Sequence, residues 1–444
     1  MVKASSISEI ICTPFFFCYG GYRRFEYFLI LFFIMARQKI LVGLDIGSSK
    51  IRTTVATVEE KSNKVNIIGV GISPSDGFRR GQITDFEEAV SNIAASLDDA
   101  ERMSGEQIHR VFVSVSGSHV ETYDSKGVIA ISNQSSEITE DDLDRVLEAA
   151  RAVSLPANRE ILRIIPKSFS VDSQRQVRYP VGMSGIRLEV EAHMITGQVS
   201  ALKNLDKCLY QTGVDVEEMI PAALAAAEAV LDRKQKDLGS VLVEIGDSCT
   251  NLAVFYEGSV VYSSVIPIGG NHVTNDIAIG LRCSIETAEK IKIEYGTTLE
   301  DMVDDQEEID LTQVSKTDSH RISKKQLCSI VKARYDEIFL LIRDELVRAG
   351  WQALPAGAIL CGGAVKMPGA IDMARDLLQL PVQIGYPRDT EGIVDKIDDP
   401  GFATATGILH FANRYGTSRN FLGSSVSLGK SFQKFSQWLR DLLP

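Results

Sequence analysis

Short apolar runs that end in small polar turns dominate the pattern of this chain, and the first complete example lies at residues 40–58. There an apolar run leads into Asp45, Ile46 and Gly47, and the chain then returns with alternating apolar positions. Such a pattern predicts a β-strand, a tight turn and a second strand paired with the first. Gly47 permits a positive φ and a close approach of the backbone to a ligand. Taken alone, the stretch leaves an ordinary hairpin open as the alternative.

The same pattern returns at residues 240–258. At one constant offset, Asp45, Gly47 and Ser49 correspond to Glu244, Gly246 and Ser248. Two such hairpins, facing each other, can hold the phosphates of a nucleotide from both sides through N–H groups and hydroxyls. The duplication therefore favours a nucleotide-binding cleft over two unrelated hairpins.

A third glycine turn follows an apolar run at residues 359–364. Together the three turns supply the candidate nucleotide-binding residues Asp45, Gly47, Ser48, Ser49, Lys50, Gly246, Asp247, Ser248, Gly362, Gly363, Ala364 and Met367. Asp45 and Glu244 are the candidate metal ligands, because carboxylate oxygens at strand ends suit a hydrated Mg²⁺ ion.

A segment with a different order of predicted strands and helices interrupts the first half of the chain. Before it, residues 86–103 have the spacing of an amphipathic helix and residues 111–115 predict a strand. Within it, Thr139 caps a helix, and residues 161–171 are apolar and rich in β-formers. This β-α-β-β texture predicts a compact insert of roughly 80 residues, a place where specific contacts are expected.

The second half also carries helical patterns. Residues 221–231 are rich in alanine, which favours a helix. Ser323 and Gln326 form a capping box that starts a long helix, which Gly350 ends. The acidic stretch at residues 300–310 is expected to be a solvated loop.

Composition narrows the class of protein. The chain has 444 residues, enough for two or more domains, and a net charge of −12, which argues against general nucleic-acid binding. Its seven cysteines show no metal-binding spacing, which is typical of a reduced cytosolic protein. The first 34 residues contain apolar runs too short to span a membrane. We expect Met35 to be the true start and residues 1–34 to be upstream sequence, with an N-terminal anchor as the alternative.

The end of the chain has its own pattern. Residues 413–429 are small and polar and predict a flexible linker. On a helix, the large apolar residues of 430–444 fall within an arc of about 140°. These candidate membrane-contacting residues are Phe432, Phe435, Trp438, Leu439, Leu442 and Leu443. A Trp, Phe and Leu face with basic flanks suits a membrane interface, and docking on the globular part of the chain is the alternative.

The triple turn pattern resembles the actin-like ATPase superfamily. Residues 164–189, 266–278 and 288–296 further resemble the FtsA family of bacterial cell-division proteins, and the likeness extends from about Met35 to the C-terminus. The resemblance implies an α/β fold: a duplicated actin-like ATPase fold with a small inserted subdomain and a C-terminal amphipathic helix. The implied boundaries are an extension at 1–34, a first half at 35–117 and 191–235, an FtsA-type insert at 118–190, a second half at 236–412, a linker at 413–429 and a membrane-targeting helix at 430–444.

The resemblance also implies roles for further residues. Glu228, the only ionisable residue of the Ala-rich helix, is the candidate for orienting the water that attacks the γ-phosphate. The alternative is a solvent-facing Glu on an amphipathic helix. Gly269, Gly270 and Asn271 open a helix that could bring amides near phosphate, with a loop glycine pair that serves only the turn as the alternative. Glu289 and Lys292 form an i,i+3 pair on the helix expected to border adenosine. The alternative is a solvent-exposed ion pair without a binding role.

The function implied is a cell-division scaffold. By resemblance, the chain would bind ATP and Mg²⁺, polymerise with itself, contact other divisome proteins and tether FtsZ filaments to lipids on the cytoplasmic face of the cell membrane at the division septum. A pilus-assembly adaptor resembling PilM, or a sugar kinase or exopolyphosphatase on the same fold, is the alternative. Glu244 replaces the usual Asp, and Asp247 brings negative charge towards phosphate, so any ATP hydrolysis is expected to be slow.

Overall fold

The computed structural model describes residues 39–59, 64–132, 136–152, 155–315 and 318–415. The predicted extension at 1–34, the predicted helix at 430–444 and all six candidate membrane-contacting residues lie outside these ranges.

The first half is built on a six-stranded sheet with the order β11-β6-β1-β2-β3-β19. Its strands are β1 (Lys39–Ile46), β2 (Lys50–Val58), β3 (Val65–Pro74), β6 (Arg110–Val115), β11 (Asp215–Pro221) and β19 (Thr390–Gly392). A small hairpin of β4 (Phe78–Arg79) and β5 (Gln82–Ile83) follows β3. The predicted strand at 111–115 and the predicted hairpin at 40–58 are confirmed. β1 is buried along most of its length, which explains its unbroken apolar run.

The second half repeats this arrangement in a five-stranded sheet with the order β14-β13-β12-β17-β18. Its strands are β12 (Ser240–Ile245), β13 (Thr250–Tyr256), β14 (Ser259–Ile266), β17 (Ala358–Cys361) and β18 (Val382–Ile384). In both sheets a hairpin lies beside parallel strands, since β1 pairs with β6 as β12 pairs with β17. The duplication inferred from the two turns therefore extends to the order of the strands.

The insert is a four-stranded antiparallel sheet with the order β7-β10-β8-β9, covered by one helix. Its elements are β7 (Val120–Ala130), α2 (Glu140–Arg151), β8 (Arg159–Val171), β9 (Gln174–Val177) and β10 (Arg187–Gln198). The predicted cap is confirmed, because Thr139 and Asp142 exchange hydrogen bonds at the start of α2. The last strand runs eight residues past the predicted boundary at 190, to Gln198.

The remaining helices pack on the two large sheets. They are α1 (Phe86–Ser104), α3 (Val199–Gln211), α4 (Ala222–Val230), α5 (Arg233–Leu238), α6 (Gly270–Leu281), α7 (Ile285–Tyr295), α8 (Lys324–Arg348), α9 (Ala370–Leu378) and α10 (Ala403–Tyr415). The Ala-rich helix α4 is almost wholly buried, and α10 packs along it. Gly407 of α10 lies so close to α4 that a Cβ there would be 1.9 Å from the Ala225 carbonyl oxygen.

Two regions differ from the sequence-based expectations, and a third agrees with them. α10 continues to Tyr415, so residues 413–415 are helical rather than part of the predicted linker. The acidic stretch at 300–310 is not wholly a loop: it contains a short 3-10 helix, and β15 (Glu308–Asp310) pairs with β16 (Arg321–Ser323). The long helix α8 begins after its Ser323 cap, as predicted. Among the described residues, no helix combines the length and apolarity needed to cross a membrane.

Candidate nucleotide-binding cleft

The two predicted turns have the same backbone geometry. The Gly47 N–H donates to the Lys50 carbonyl at 3.2 Å, and the Gly246 N–H donates to the Cys249 carbonyl at 2.9 Å. A Cβ at Gly47 or Gly246 would press against the same acceptor oxygen of its own turn, which explains glycine at both positions. The repeat seen in the sequence is therefore a repeat of a hydrogen-bonded turn.

The first turn is fixed by hydrogen bonds from Ser75 and is exposed to solvent on its other side. Ser75 donates its hydroxyl to the Gly47 carbonyl and its N–H to the Ser49 carbonyl, the latter at 3.2 Å. Ser49 and Lys50 are exposed and Ser48 is half-buried, so these three predicted residues are accessible to a ligand.

A buried carboxylate precedes each turn. Asp45 accepts a hydrogen bond from the Ser114 hydroxyl at 2.8 Å. Glu244 accepts one from the Asn251 side-chain amide at 2.8 Å and another from the Thr404 hydroxyl. Burial raises the pKa of Asp45. Burial and the nearby charge of Asp45 raise the pKa of Glu244 to about 7. Burial thus disfavours the charged form of both acids, and the charge of Asp45 adds to this effect at Glu244, a situation that a divalent cation would relieve.

Arg52 is a component of the cleft that the sequence patterns did not single out. One guanidinium nitrogen, Nη1, lies 3.6 Å from Asp45 Oδ2, and the group lies over the Phe402 ring at 5.2 Å from its centroid. Its Nε is buried and has no hydrogen-bond partner in the described part of the chain. Arg52 occupies the place on β2 that Asn251 occupies on β13, and each contacts the acid of its own hairpin. The equivalence of positions 52 and 251 in the two repeats was therefore a signal in the sequence that could have identified Arg52.

Ser116, at the end of β6, links the two halves across the cleft. Its hydroxyl donates to Asn251 Oδ1 at 2.8 Å and lies 3.2 Å from the Cys249 sulfur. Ser116 therefore touches the second turn from the first half, and no periodicity in the sequence pointed to it.

The glycines at the start of α6 have a different role from the predicted one. The Gly270 N–H donates to the Gly246 carbonyl at 2.9 Å, and the Asn271 N–H donates to the Asp247 carbonyl at 2.8 Å. The Asn271 side-chain amide also donates to the Ser248 hydroxyl. These amides hold the second turn in place, and this use corrects the expectation that they point at phosphate.

The predicted pair on α7 forms and lies beside the same glycines. Lys292 Nζ is 2.6 Å from Glu289 Oε2, 2.8 Å from the Thr274 hydroxyl and 3.3 Å from the Gly270 carbonyl oxygen. The pair is therefore attached to the start of α6 rather than isolated on a solvated face.

The third turn adjoins this group. Gly362 has φ +92°, a conformation that favours glycine, and its N–H donates to the Pro400 carbonyl at 2.9 Å. Next to Gly363 there is open space, and Ala364 lies against Gly270. Met367 reaches the Gly296 backbone at the end of α7. The structure thus brings the second turn, the third turn and the pair on α7 to one wall of the cleft.

Glu228 lies elsewhere, and the structure does not support its proposed role. Its two oxygens contact Lys236 at 2.8 Å and Arg414 at 2.6 Å. Burial alone would raise its pKa, yet the charges of Lys236 and Arg414 together bring the pKa of Glu228 below its usual value. On α10, Arg414 is about 15 Å of helix from Thr404, which touches Glu244. Glu228 therefore belongs to an ion-pair cluster at the far end of α4.

These features define a class of protein. Two sheets with the same strand order, matched turns with an acid before each and a helix pair between the halves make up a duplicated actin-like fold, here with a four-stranded insert.

Comparison with known proteins narrows the class. Residues 241–407 match the family model described as "Cell division protein FtsA", and residues 117–196 match "SHS2 domain inserted in FTSA". The cell division protein FtsA of Pseudomonas aeruginosa is 38% identical over 88% of this chain and 93% of its own length. That of Bacillus subtilis is 37% identical over 86% of this chain and 85% of its own length. The chain belongs to the FtsA family of cell-division proteins.

A solved structure of a related fold supports this architecture. The PilM-PilN type IV pilus biogenesis complex contains a chain with a TM-score of 0.61 and 16% identity, matched over 83% of this chain and 97% of that one. At that identity the likeness concerns the fold alone. MreB5 of Spiroplasma citri bound to ADP has a TM-score of 0.48 and 16% identity, over 84% of this chain and 96% of that one.

Proposed function

We propose that the cleft binds ATP together with Mg²⁺. The observation that carries this proposal is the pair of matched turns, each preceded by a buried carboxylate. Ser48, Ser49 and Lys50 on one side and residues 246–248 on the other would hold the phosphates through amides and hydroxyls. Glu289, Lys292 and the third turn at Gly362, Gly363, Ala364 and Met367 would border the adenosine.

Asp45 and Glu244 are the proposed ligands of Mg²⁺, directly or through water. The fit is chemical, because the two buried carboxylates have raised pKa values and Arg52 is the one cationic side chain beside them among the described residues. The described residues contain no group of three or more metal-binding side chains, so the ion would keep several waters and take phosphate oxygens. Bound there, Mg²⁺ supplies neutralisation of carboxylate and phosphate charge.

The proposed role is that of a scaffold in cell division. It polymerises through actin-like contacts, binds the cytoplasmic membrane at the septum through residues 430–444, and tethers FtsZ filaments there. Membership of the FtsA family and the amphipathic pattern of residues 430–444 support this role.

The helical part of the second half offers a surface for such a filament partner. A cavity of about 380 Å³ is lined by residues 280–282, at the end of α6, and by His320, Arg321 and Gln326. Arg282 forms no ion pair with any described residue, and the neighbouring Ile279 is exposed. A short peptide with acidic and apolar residues would fit this combination of charge and apolar surface.

The nucleotide is proposed to set the state of the polymer rather than to turn over rapidly. The cleft end of α4 carries Ala222, Ala223 and Leu224, and Glu228 is held by two cations at the other end. No side chain of α4 at the cleft can orient a water molecule, which favours slow hydrolysis.

Co-sedimentation with vesicles tests the proposal. The chain from Met35, with and without residues 430–444, is mixed with vesicles, Mg²⁺-ATP and purified FtsZ. We expect the longer form to sediment with the vesicles and to bring FtsZ with it, and truncation to abolish both. Absence of lipid binding in both forms would contradict the tether, and lipid binding without FtsZ would contradict the choice of partner.

A further inference from the structure

A patch of exposed apolar side chains lies at the base of the second half, at the strand ends opposite the nucleotide turns. It consists of the exposed side chains of Leu238, Tyr256 and Val347 and the half-buried side chain of Trp351, which packs partly on the core; we call these four residues the base patch. Leu238 is 60% exposed, Tyr256 41% and Val347 53%. The rings of Tyr256 and Trp351 are in contact, with centroids 5.5 Å apart. Clusters of exposed aromatic and aliphatic side chains are typical of docking surfaces.

The described chain ends beside this patch. Arg414, next to the last described residue of α10, contacts Glu228, and Glu228 contacts Lys236 of α5. Lys236 lies two residues before Leu238, which ends α5. Arg414, and with it the end of the described chain, therefore lies within a few side chains of the base patch.

The sequence beyond Tyr415 can reach the patch and is suited to it. The sequence has 14 residues between Tyr415 and Lys430, and a chain of that length can bridge up to about 45 Å. The apolar face of residues 430–444 carries aromatic and leucine side chains, and its flanks carry Lys430, Lys434 and Arg440. At the rim of the patch, Glu257 is exposed next to Tyr256, and the Arg178 guanidinium donates a hydrogen bond to its backbone carbonyl.

We propose that residues 430–444 dock on the base patch when no membrane is present, so that the patch and the membrane compete for the same apolar face. The inference rests on the proposed membrane role of these residues. Tethering by a short linker gives an effective concentration of about 1 mM, so a contact with a dissociation constant of about 0.1 mM would hide the segment in roughly nine of ten molecules. A second copy of the chain would lack this advantage, and this favours the intramolecular occupant.

The two tryptophans of the chain allow a direct test, since Trp351 lies in the patch and Trp438 in the terminal segment. In the Trp438→Phe variant, fluorescence reports Trp351 alone. Without vesicles, we expect removal of residues 430–444 to shift Trp351 emission to the red and to increase its quenching by iodide. Vesicles of phosphatidylethanolamine and phosphatidylglycerol should cause the same change in the longer form. An unchanged Trp351 signal on truncation would overturn the proposal.

Substitutions in the patch test the competition. Leu238→Asp and Val347→Asp should each raise vesicle affinity about tenfold, because they release the terminal segment. Tyr210→Asp is the matched control, since Tyr210 is 73% exposed on α3 and should leave vesicle affinity unchanged. Equal affinities for the patch variants and the control would overturn the proposal.

Two further outcomes are distinguishable. A Trp351 signal that depends on protein concentration, with dimers in sedimentation velocity, would assign the patch to a second copy and overturn the intramolecular contact. A Trp351 response to truncation without any vesicle binding would leave the docking in place and contradict the membrane role instead.

Discussion

At the residue scale, the most informative group is the buried carboxyl of Glu244. The folded chain holds its proton up to about pH 7, whereas the unfolded chain releases it near the ordinary value of 4.5. Between these pH values the folded state binds more protons, so the free energy of unfolding should fall as the pH rises through this window.

Glu244→Gln should remove that loss. We expect the wild-type protein to lose about 1–3 kcal/mol more stability than the variant between pH 5 and about pH 8 without nucleotide. Urea unfolding at the two pH values measures the difference. Equal losses in the two proteins would show that Glu244 is not the titrating group.

The two buried threonines of α10 provide a second test. Thr404 donates to the Glu244 carboxylate, whereas the Thr406 hydroxyl is buried and has no partner in the described part of the chain. At pH 8, where Glu244 is ionised, Thr404→Val should lower the free energy of unfolding by about 1–2 kcal/mol, because it removes a hydrogen bond to a charged group. Thr406→Val should be neutral or stabilising. Thermal unfolding of the two variants measures this, and the same loss in both would contradict the assigned bond.

At this scale the sequence predicted the residues of the turns, but it did not reveal the residues that contact them, such as Arg52, Ser116 and Thr404. Gly47 and Gly246 were visible because a turn leaves a local pattern. Thr404 and Glu244 are 160 residues apart in the chain, and no local pattern connects them. Glu228 was misassigned for a related reason: an Ala-rich run predicts a helix but does not tell which end of it faces the cleft.

At the element scale, the contact between α4 and α10 sets the spacing of the two helices that lie between the large sheets. Gly407→Ala would place a Cβ 1.9 Å from the Ala225 carbonyl oxygen, so the two helices would have to separate. We expect a loss of about 1–3 kcal/mol in the free energy of unfolding, the usual range for overpacking. Chemical denaturation gives the value.

Gly280→Ala is the control for this substitution. Gly280 is also a helical glycine, but its added Cβ would meet the end of the Ile330 side chain, which can move. Alanine also favours the helix by about 1 kcal/mol over glycine. The control should therefore be neutral, and a comparable loss at both positions would mean that helix packing does not explain the first result.

At the scale of the whole molecule, the insert touches the second half through His193. Its Nδ1 is 3.0 Å from Asp124 Oδ1 within the insert, and its Nε2 is 2.9 Å from the Ser263 hydroxyl on β14. Thr122 donates to the Ser263 carbonyl at 3.0 Å. The insert is thereby hydrogen-bonded to the strand beside β13, which carries Asn251.

His193→Leu should loosen this interface without unfolding the chain. It leaves the buried Ser263 hydroxyl without the His193 ring, at a cost of about 1–3 kcal/mol, whereas Asp124 keeps its contact with Lys167. We expect faster amide hydrogen exchange in β7, β10 and β14, measured by mass spectrometry. Lys126→Met, which removes an exposed ion pair on the same insert sheet, should leave exchange in β14 unchanged. Unchanged exchange in the His193 variant would contradict the role of the contact.

The return of the chain to its first sheet has a consequence for synthesis on the ribosome. β19 and α10 come from residues 390–392 and 403–415, yet they complete the sheet and the helical floor of the first half. Ile408, Leu409 and Phe411 cover apolar surface that the first 235 residues cannot cover themselves. The first half therefore cannot complete its fold until residues 390–415 of the second half have been translated. We expect nascent chains stalled before residue 390 to depend on chaperones.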